Sequence, residues 1–121
     1  MANEISVNLS VRCANGKYQN QFNAAPTVSQ TAVGASSGVA SVTTTASPLP
    51  LGSVTTPGLL TLYNLDTTNA VDYGPDNAGT MLVFGTIKPG EVAHLRLKPG
   101  TTMKWVAAAG TVLVQYWLLQ S

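Results

Sequence analysis

Thr86-Ile87-Lys88-Pro89-Gly90-Glu91-Val92-Ala93-His94-Leu95-Arg96-Leu97-Lys98-Pro99-Gly100 encloses one short strand between two copies of the same turn. Each Lys-Pro-Gly offers a proline with fixed φ followed by a glycine free to take positive φ, the pair a type II turn requires. Between the turns the residues alternate. Ala93, Leu95 and Leu97 fall on a side expected to face a core, and Val92, His94 and Arg96 on a side expected to meet solvent or a partner. Turn, strand, turn is the pattern to look for elsewhere in the chain.

It recurs. Ile5, Val7, Leu9 and Val11 alternate strictly with polar residues, which predicts a strand, and Asn15-Gly16 is a hairpin signal leading to a second strand through residues 17–23. Residues 59–65 read as a strand apolar on both sides, fit for the middle of a sandwich. A short strand over 70–74, a turn over 75–79 and a strand over 81–87 follow. Residues 104–108, a turn at Ala109-Gly110 and an apolar strand over 111–119 close the series. No stretch carries a helical period with caps, and strands recur about every ten residues. This rhythm predicts a single all-β domain over residues 1–121, an antiparallel β-sandwich of jelly-roll type.

Residues 24–57 differ in composition. Ala, Ser, Thr, Val and Gly dominate, and no charged residue occurs between Lys17 and Asp66. The abundance of β-branched residues predicts weak strands joined by Gly/Ser loops, one of them around Gly34-Ala35-Ser36-Ser37-Gly38, or else a flexible surface loop.

Charged residues are 9% of the 121, against about 25% in an ordinary soluble domain. A folded chain so poor in charge is expected to cover part of its surface in an assembly, as a homo-oligomer or with other proteins. The net charge of +1, with Arg12, Lys17, Lys88, Arg96, Lys98 and Lys104 as the cations, gives no footprint for nucleic acid. The start of the sequence lacks the pattern of a secretion signal, and no apolar run approaches the roughly 20 residues of a membrane span. Synthesis in a cytoplasm and no membrane partner are therefore expected. Cys13 is the one cysteine, which excludes an internal disulfide, and its place in an alternating run predicts a buried structural thiol.

The residues specify no catalytic, cofactor-binding or metal site. His94 is the sole histidine, with no nucleophile beside it in sequence, and is expected at a surface or interface. Asp66, Asp72 and Asp76 lie in or beside turns, where aspartate caps backbone amides, and residues 72–77 lack the ligand spacing of a calcium loop. No glycine turn has the spacing of a phosphate loop. Tyr18, Tyr73, Trp105, Tyr116 and Trp117 are candidate stacking faces for a sugar. Interface packing is the stronger reading, and the adjacent Tyr116 and Trp117 must point to opposite sides of their strand. The interface candidates are Tyr18, Phe22, His94, Arg96, Trp105 and Trp117.

Several phrases carry a family likeness. Leu51-Gly52-Ser53-Val54-Thr55-Thr56-Pro57-Gly58, Leu62-Tyr63-Asn64-Leu65-Asp66-Thr67-Thr68-Asn69, Ile87-Lys88-Pro89-Gly90-Glu91-Val92-Ala93 and Val114-Gln115-Tyr116-Trp117-Leu118-Leu119, with the opening Met1-Ala2-Asn3-Glu4-Ile5-Ser6-Val7, resemble small virion structural proteins of tailed bacteriophages. The likeness spans both ends of the chain and little of its Ala/Ser/Thr-rich middle. It implies a non-enzymatic virion component with the major capsid protein as the expected partner. A capsid decoration protein that bridges neighbouring shell subunits suits a small domain with no coiled coil or fibre. A tail or baseplate component is the alternative, and a glycan-binding β-sandwich is the alternative from another class.

Overall fold

The computed structural model describes residues 4–30 and 33–120. These residues form strands, turns and connections with no helix, so the fold is all-β. The chain divides into two compact units, residues 1–31 and 32–121.

In the first unit, β1 (Ile5–Ser6) pairs antiparallel with β4 (Thr27–Val28), and β2 (Leu9–Asn15) pairs with β3 (Tyr18–Ala24). The alternating run 5–11 is thus two strands. Val7 donates its N–H to the Pro26 carbonyl at 3.0 Å, and beyond it the chain changes partner from β4 to β3. The β2–β3 turn lies one residue later than Asn15-Gly16. Asn15 pairs with Tyr18 across a loop of Gly16 and Lys17, with Gly16 at φ 57° and Lys17 outside the positive-φ region. Glycine at the first central position alone is the type II′ requirement. Every residue of β2 is exposed, Cys13 included, so the expected buried thiol is corrected: among the described residues β2 and β3 form a sheet of their own with no third strand.

The second unit is the sandwich. Its strands are β5 (Ala35–Val42), β6 (Ser47–Pro48), β7 (Pro57–Asn64), β8 (Val71–Asn77), β9 (Thr80–Met81), β10 (Gly85–Ile87), β11 (Val92–Arg96), β12 (Met103–Ala107) and β13 (Val112–Gln120). One sheet has the order β11-β7-β13-β5 and the other β10-β8-β12-β6, with β9 beside β8. Apart from β9, the chain changes sheet at each step except from β8 to β10, and these two orders are those of a jelly roll. Leu60, Leu62, Val114 and Leu118 from the first sheet meet Val71, Tyr73, Met103 and Trp105 from the second in one buried cluster. Each such side chain contributes about 1.5–3 kcal/mol by leaving water.

Both Lys-Pro-Gly turns form as read. The Lys88 carbonyl accepts from Glu91 N and the Lys98 carbonyl from Thr101 N, both at 3.0 Å, and Gly90 and Gly100 sit at φ 80° and 83°. Between them Ala93 and Leu95 are half-buried and Leu97 buried, while Val92, His94 and Arg96 are exposed. The fully buried Asn64 ties the first turn to the sandwich. Its Nδ2 donates to the Asn69 and Ile87 carbonyls at 3.0 Å, and its Oδ1 accepts from Asp66 N at 2.9 Å. Its backbone exchanges bonds with Gly90 N and the Glu91 carbonyl. Asp66 then caps the 66–69 turn, and the amides of Asn69 and Thr68 hold its carboxyl below the usual aspartate range.

Three local expectations are corrected. The loop expected at residues 34–38 lies largely within β5, which pairs with β13 from Ala35↔Leu119 to Val42↔Val112. Gly38 belongs there because its φ of 148° is one that residues with side chains rarely adopt, and the Tyr116 ring rests beside it in ordinary contact. The turn expected over 75–79 is confined to Ala78 and Gly79, at φ 52° and 89°, and β8 runs on to Asn77. The strand expected over 81–87 is broken into β9 and β10. Leu82 N and Phe84 N still bond the Pro75 and Tyr73 carbonyls, but Leu82, Val83 and Phe84 bulge out of the sheet and are exposed. The bulge crosses directly over Gly74, where any Cβ would strike the Leu82 carbonyl oxygen.

Candidate functional site

The outer surfaces of the two sheets are built differently. Outside the β10-β8-β12-β6 sheet, Thr86 Oγ1 donates to Asp72 Oδ1 at 2.6 Å, and Lys104 pairs with Asp76 at 3.3 Å. That surface satisfies its polar groups internally. The outer surface of the β11-β7-β13-β5 sheet is open and carries several large apolar side chains among polar ones.

Register assigns its rows. Val92, Tyr63, Gln115 and Val39 lie side by side, and His94, Thr61, Trp117 and Ser37 form the next row. Leu113, opposite Ser41, extends the surface beyond the first row, beside Leu65, whose N–H bonds the Leu113 carbonyl. Val39, Tyr63, Leu65, Val92, Leu113 and Trp117 are all exposed, Trp117 at 54% of its surface. The reason is local: β13 has period-two alternation, and its even positions 112, 114, 116 and 118 supply the core or its margin. Its odd positions then face outward whatever their polarity. A hollow of about 590 Å³ lies on this surface, bordered by Ser37, Thr61, Tyr63, Val92, Gln115 and Trp117. Thr61 Oγ1 and His94 Nδ1 share a 2.8 Å hydrogen bond, which fixes the imidazole beside it.

Of the six residues expected at an interface, three come together here: His94 and Trp117 in one row, with Arg96 two residues on along β11. Tyr18 and Phe22 are 62% and 61% exposed on the β2–β3 hairpin. There Leu9, Val11 and Cys13 share a face with Tyr18, Phe22 and Ala24 by register, and Ser10, Arg12, Gln19 and Gln21 take the other. Trp105 is corrected. It is 2% exposed, turned into the sandwich with its ring edge-on to Tyr116 at 5.7 Å. Tyr73 is buried as well, so of the five aromatics considered for stacking a sugar, Trp117 alone stands open on the sandwich.

Sequence reasoning missed Tyr63, Leu65, Val39 and Leu113. Residues 59–65 read as covered on both sides, and only the inner side and Leu59 are buried. The available signal is the alternation of Leu60, Leu62 and Asn64 against Thr61 and Tyr63, masked by leucines on both phases. Among the described residues no three His, Cys, Asp or Glu side chains gather as metal ligands. In comparisons with protein families, curated proteins and solved structures, nothing matches this chain.

Proposed function

We propose that this chain is a non-enzymatic structural protein of a phage particle, a decoration protein that docks on the capsid and bridges neighbouring shell subunits. The observation that carries the reading is the open outer surface of the β11-β7-β13-β5 sheet, where Trp117, Tyr63 and Val92 border one hollow. Exposed apolar side chains with aromatic anchors, interleaved here with hydrogen-bonding groups such as Thr61 and Gln115, suit a protein interface. Here it belongs to a chain with few charges to keep it dispersed. The resemblance of several of its phrases to those of small virion proteins points to the same partner. The jelly roll adds a fold-level analogy, since it recurs in viral capsid and lectin domains.

The test is co-sedimentation of the purified chain with particles that lack it, followed by cryo-electron microscopy. The expected result is density at shell subunit junctions and loss of binding by Trp117→Asp with the fold intact. Density confined to the tail would replace the head assignment by a tail or baseplate role. A second reading, a glycan-binding module, is favoured by the hollow itself, where Trp117 and Tyr63 border Thr61, Gln115 and Ser37 as hydrogen-bonding groups. Glycan binding that Trp117→Ala abolishes, with no binding to particles, would put that reading first.

A further inference from the structure

The four edges of the sandwich are not equally protected. β11 is five residues long, carries His94 and Arg96, and is bounded by the two proline turns. β6 is two residues and contains Pro48. β10 is three residues and is separated from β9 by the bulge at residues 82–84. Short length, charge, proline and bulges are the devices that keep a sheet edge from pairing with another chain. β5 has none of them: eight residues, Ala-Ser-Ser-Gly-Val-Ala-Ser-Val, with no charge and no proline.

Its backbone is also open. Ala35 directs both its N–H and its carbonyl away from β13, where Ser53 Oγ bonds each at 3.2 Å. Gly34, one residue before, bonds Gln120 N on the β13 side. Antiparallel pairing alternates these directions, so Ser37, Val39 and Ser41 point their backbone groups outward as Ala35 does. Among the described residues none of the three has a backbone partner on that side. Thr43, next in phase, is closed by Ala107 N at 2.8 Å. The open run is therefore bounded by a serine cap at one end and β12 at the other.

We infer that this run is a self-pairing edge: β5 of one copy adds antiparallel to β5 of a second copy about a two-fold axis at Val39. The occupant follows from the sequence of the edge. About Val39, Ser41 of one copy meets Ser37 of the other and Ala40 meets Gly38, and the pairing stops short of Ser36, which is buried with Gly52 packed against it. Every pair is small or β-branched, and none brings like charges together. Val39 faces its own equivalent, and each outward pair exchanges both N–H···O bonds. A two-fold contact of this kind is self-complementary and closes, so it yields a dimer and not a fibre. The two outer surfaces then join into one continuous sheet surface. The inference is separate from the docking reading, because the edge is backbone on β5 and Trp117 lies on the neighbouring strand.

Cross-linking and sedimentation test it together. In a Cys13→Ser background, Val39→Cys places two thiols in a hydrogen-bonded antiparallel pair with Cα atoms about 5.5 Å apart, within disulfide reach. Mild oxidation is expected to give a covalent dimer, and Val33→Cys in the same background none. Analytical ultracentrifugation is expected to show a wild-type dimer that Ser41→Lys converts to monomer with an unchanged circular dichroism spectrum and that Trp117→Ala leaves intact. A wild-type monomer at about 100 µM, well above the micromolar range of a weak stable contact, would overturn the inference. So would a dimer indifferent to Ser41→Lys together with a Val39→Cys variant that forms no cross-link.

Discussion

The β2–β3 hairpin and strand β5 invert what their sequences advertise. Residues 5–11 carry the cleanest apolar alternation in the chain, yet every residue of β2 is exposed. Residues 35–42 are Ala, Ser, Gly and Val with no strong pattern, yet they run the length of β13 and bury Val42 completely. Alternation records that two faces of a strand differ. Whether either is covered depends on how many layers and neighbours the strand acquires, which is decided by segments far away in sequence. A two-stranded sheet by itself buries little of either face. A bland strand beside a strongly apolar one inherits the core of its neighbour.

That contrast predicts where substitutions will hurt. Gly74→Ala should have the largest effect, about 4 kcal/mol or more, because a Cβ there meets the Leu82 carbonyl and both backbones are held by ladder bonds. Chemical denaturation followed by circular dichroism measures it, and a loss under about 1 kcal/mol would mean that the bulge moves freely. Asn64→Ala comes next at about 3 kcal/mol. It strips partners from the Ile87 and Asn69 carbonyls and the Asp66 amide in the closed end of the sandwich. The smallest effect belongs to the hairpin. Phe22→Ser should change stability by no more than about 0.5 kcal/mol, since the ring is 61% exposed. Cys13 in the folded chain should react with a water-soluble thiol reagent as fast as in urea. Protection of Cys13 in a dilute sample would erase the contrast.

Much of the sandwich is readable because its signals are local. Pro89-Gly90 and Pro99-Gly100 fix their own turns, and β7, β11 and β13 announce themselves by composition. Tyr116 and Trp117 divide inside from outside as adjacent strand residues must. What cannot be read depends on contacts distant in sequence. Pro75 looks like a turn residue, but its missing N–H faces the bulge at Leu82, so β8 continues through it. Gly38 looks like a loop residue, but it takes its positive φ inside β5, in register with Tyr116. Trp105 looks like an interface anchor until β12 is placed between β8 and β6 with its odd positions inward. The open outer surface is half legible: His94, Arg96 and Trp117 stand out in the sequence, while Tyr63 and Val39 join them only through register.

The central place of β13 has a consequence for synthesis. It lies between β7 and β5, whose paired residues leave the ribosome well before their partners, as in Val114↔Asn64 and Leu119↔Ala35. Until Val112 and its successors emerge, β5 and β7 both wait with naked margins, and β7 carries three leucines. The nascent chain is at its stickiest in that interval, and a translational pause there would favour tangles between neighbouring polypeptides over the native roll.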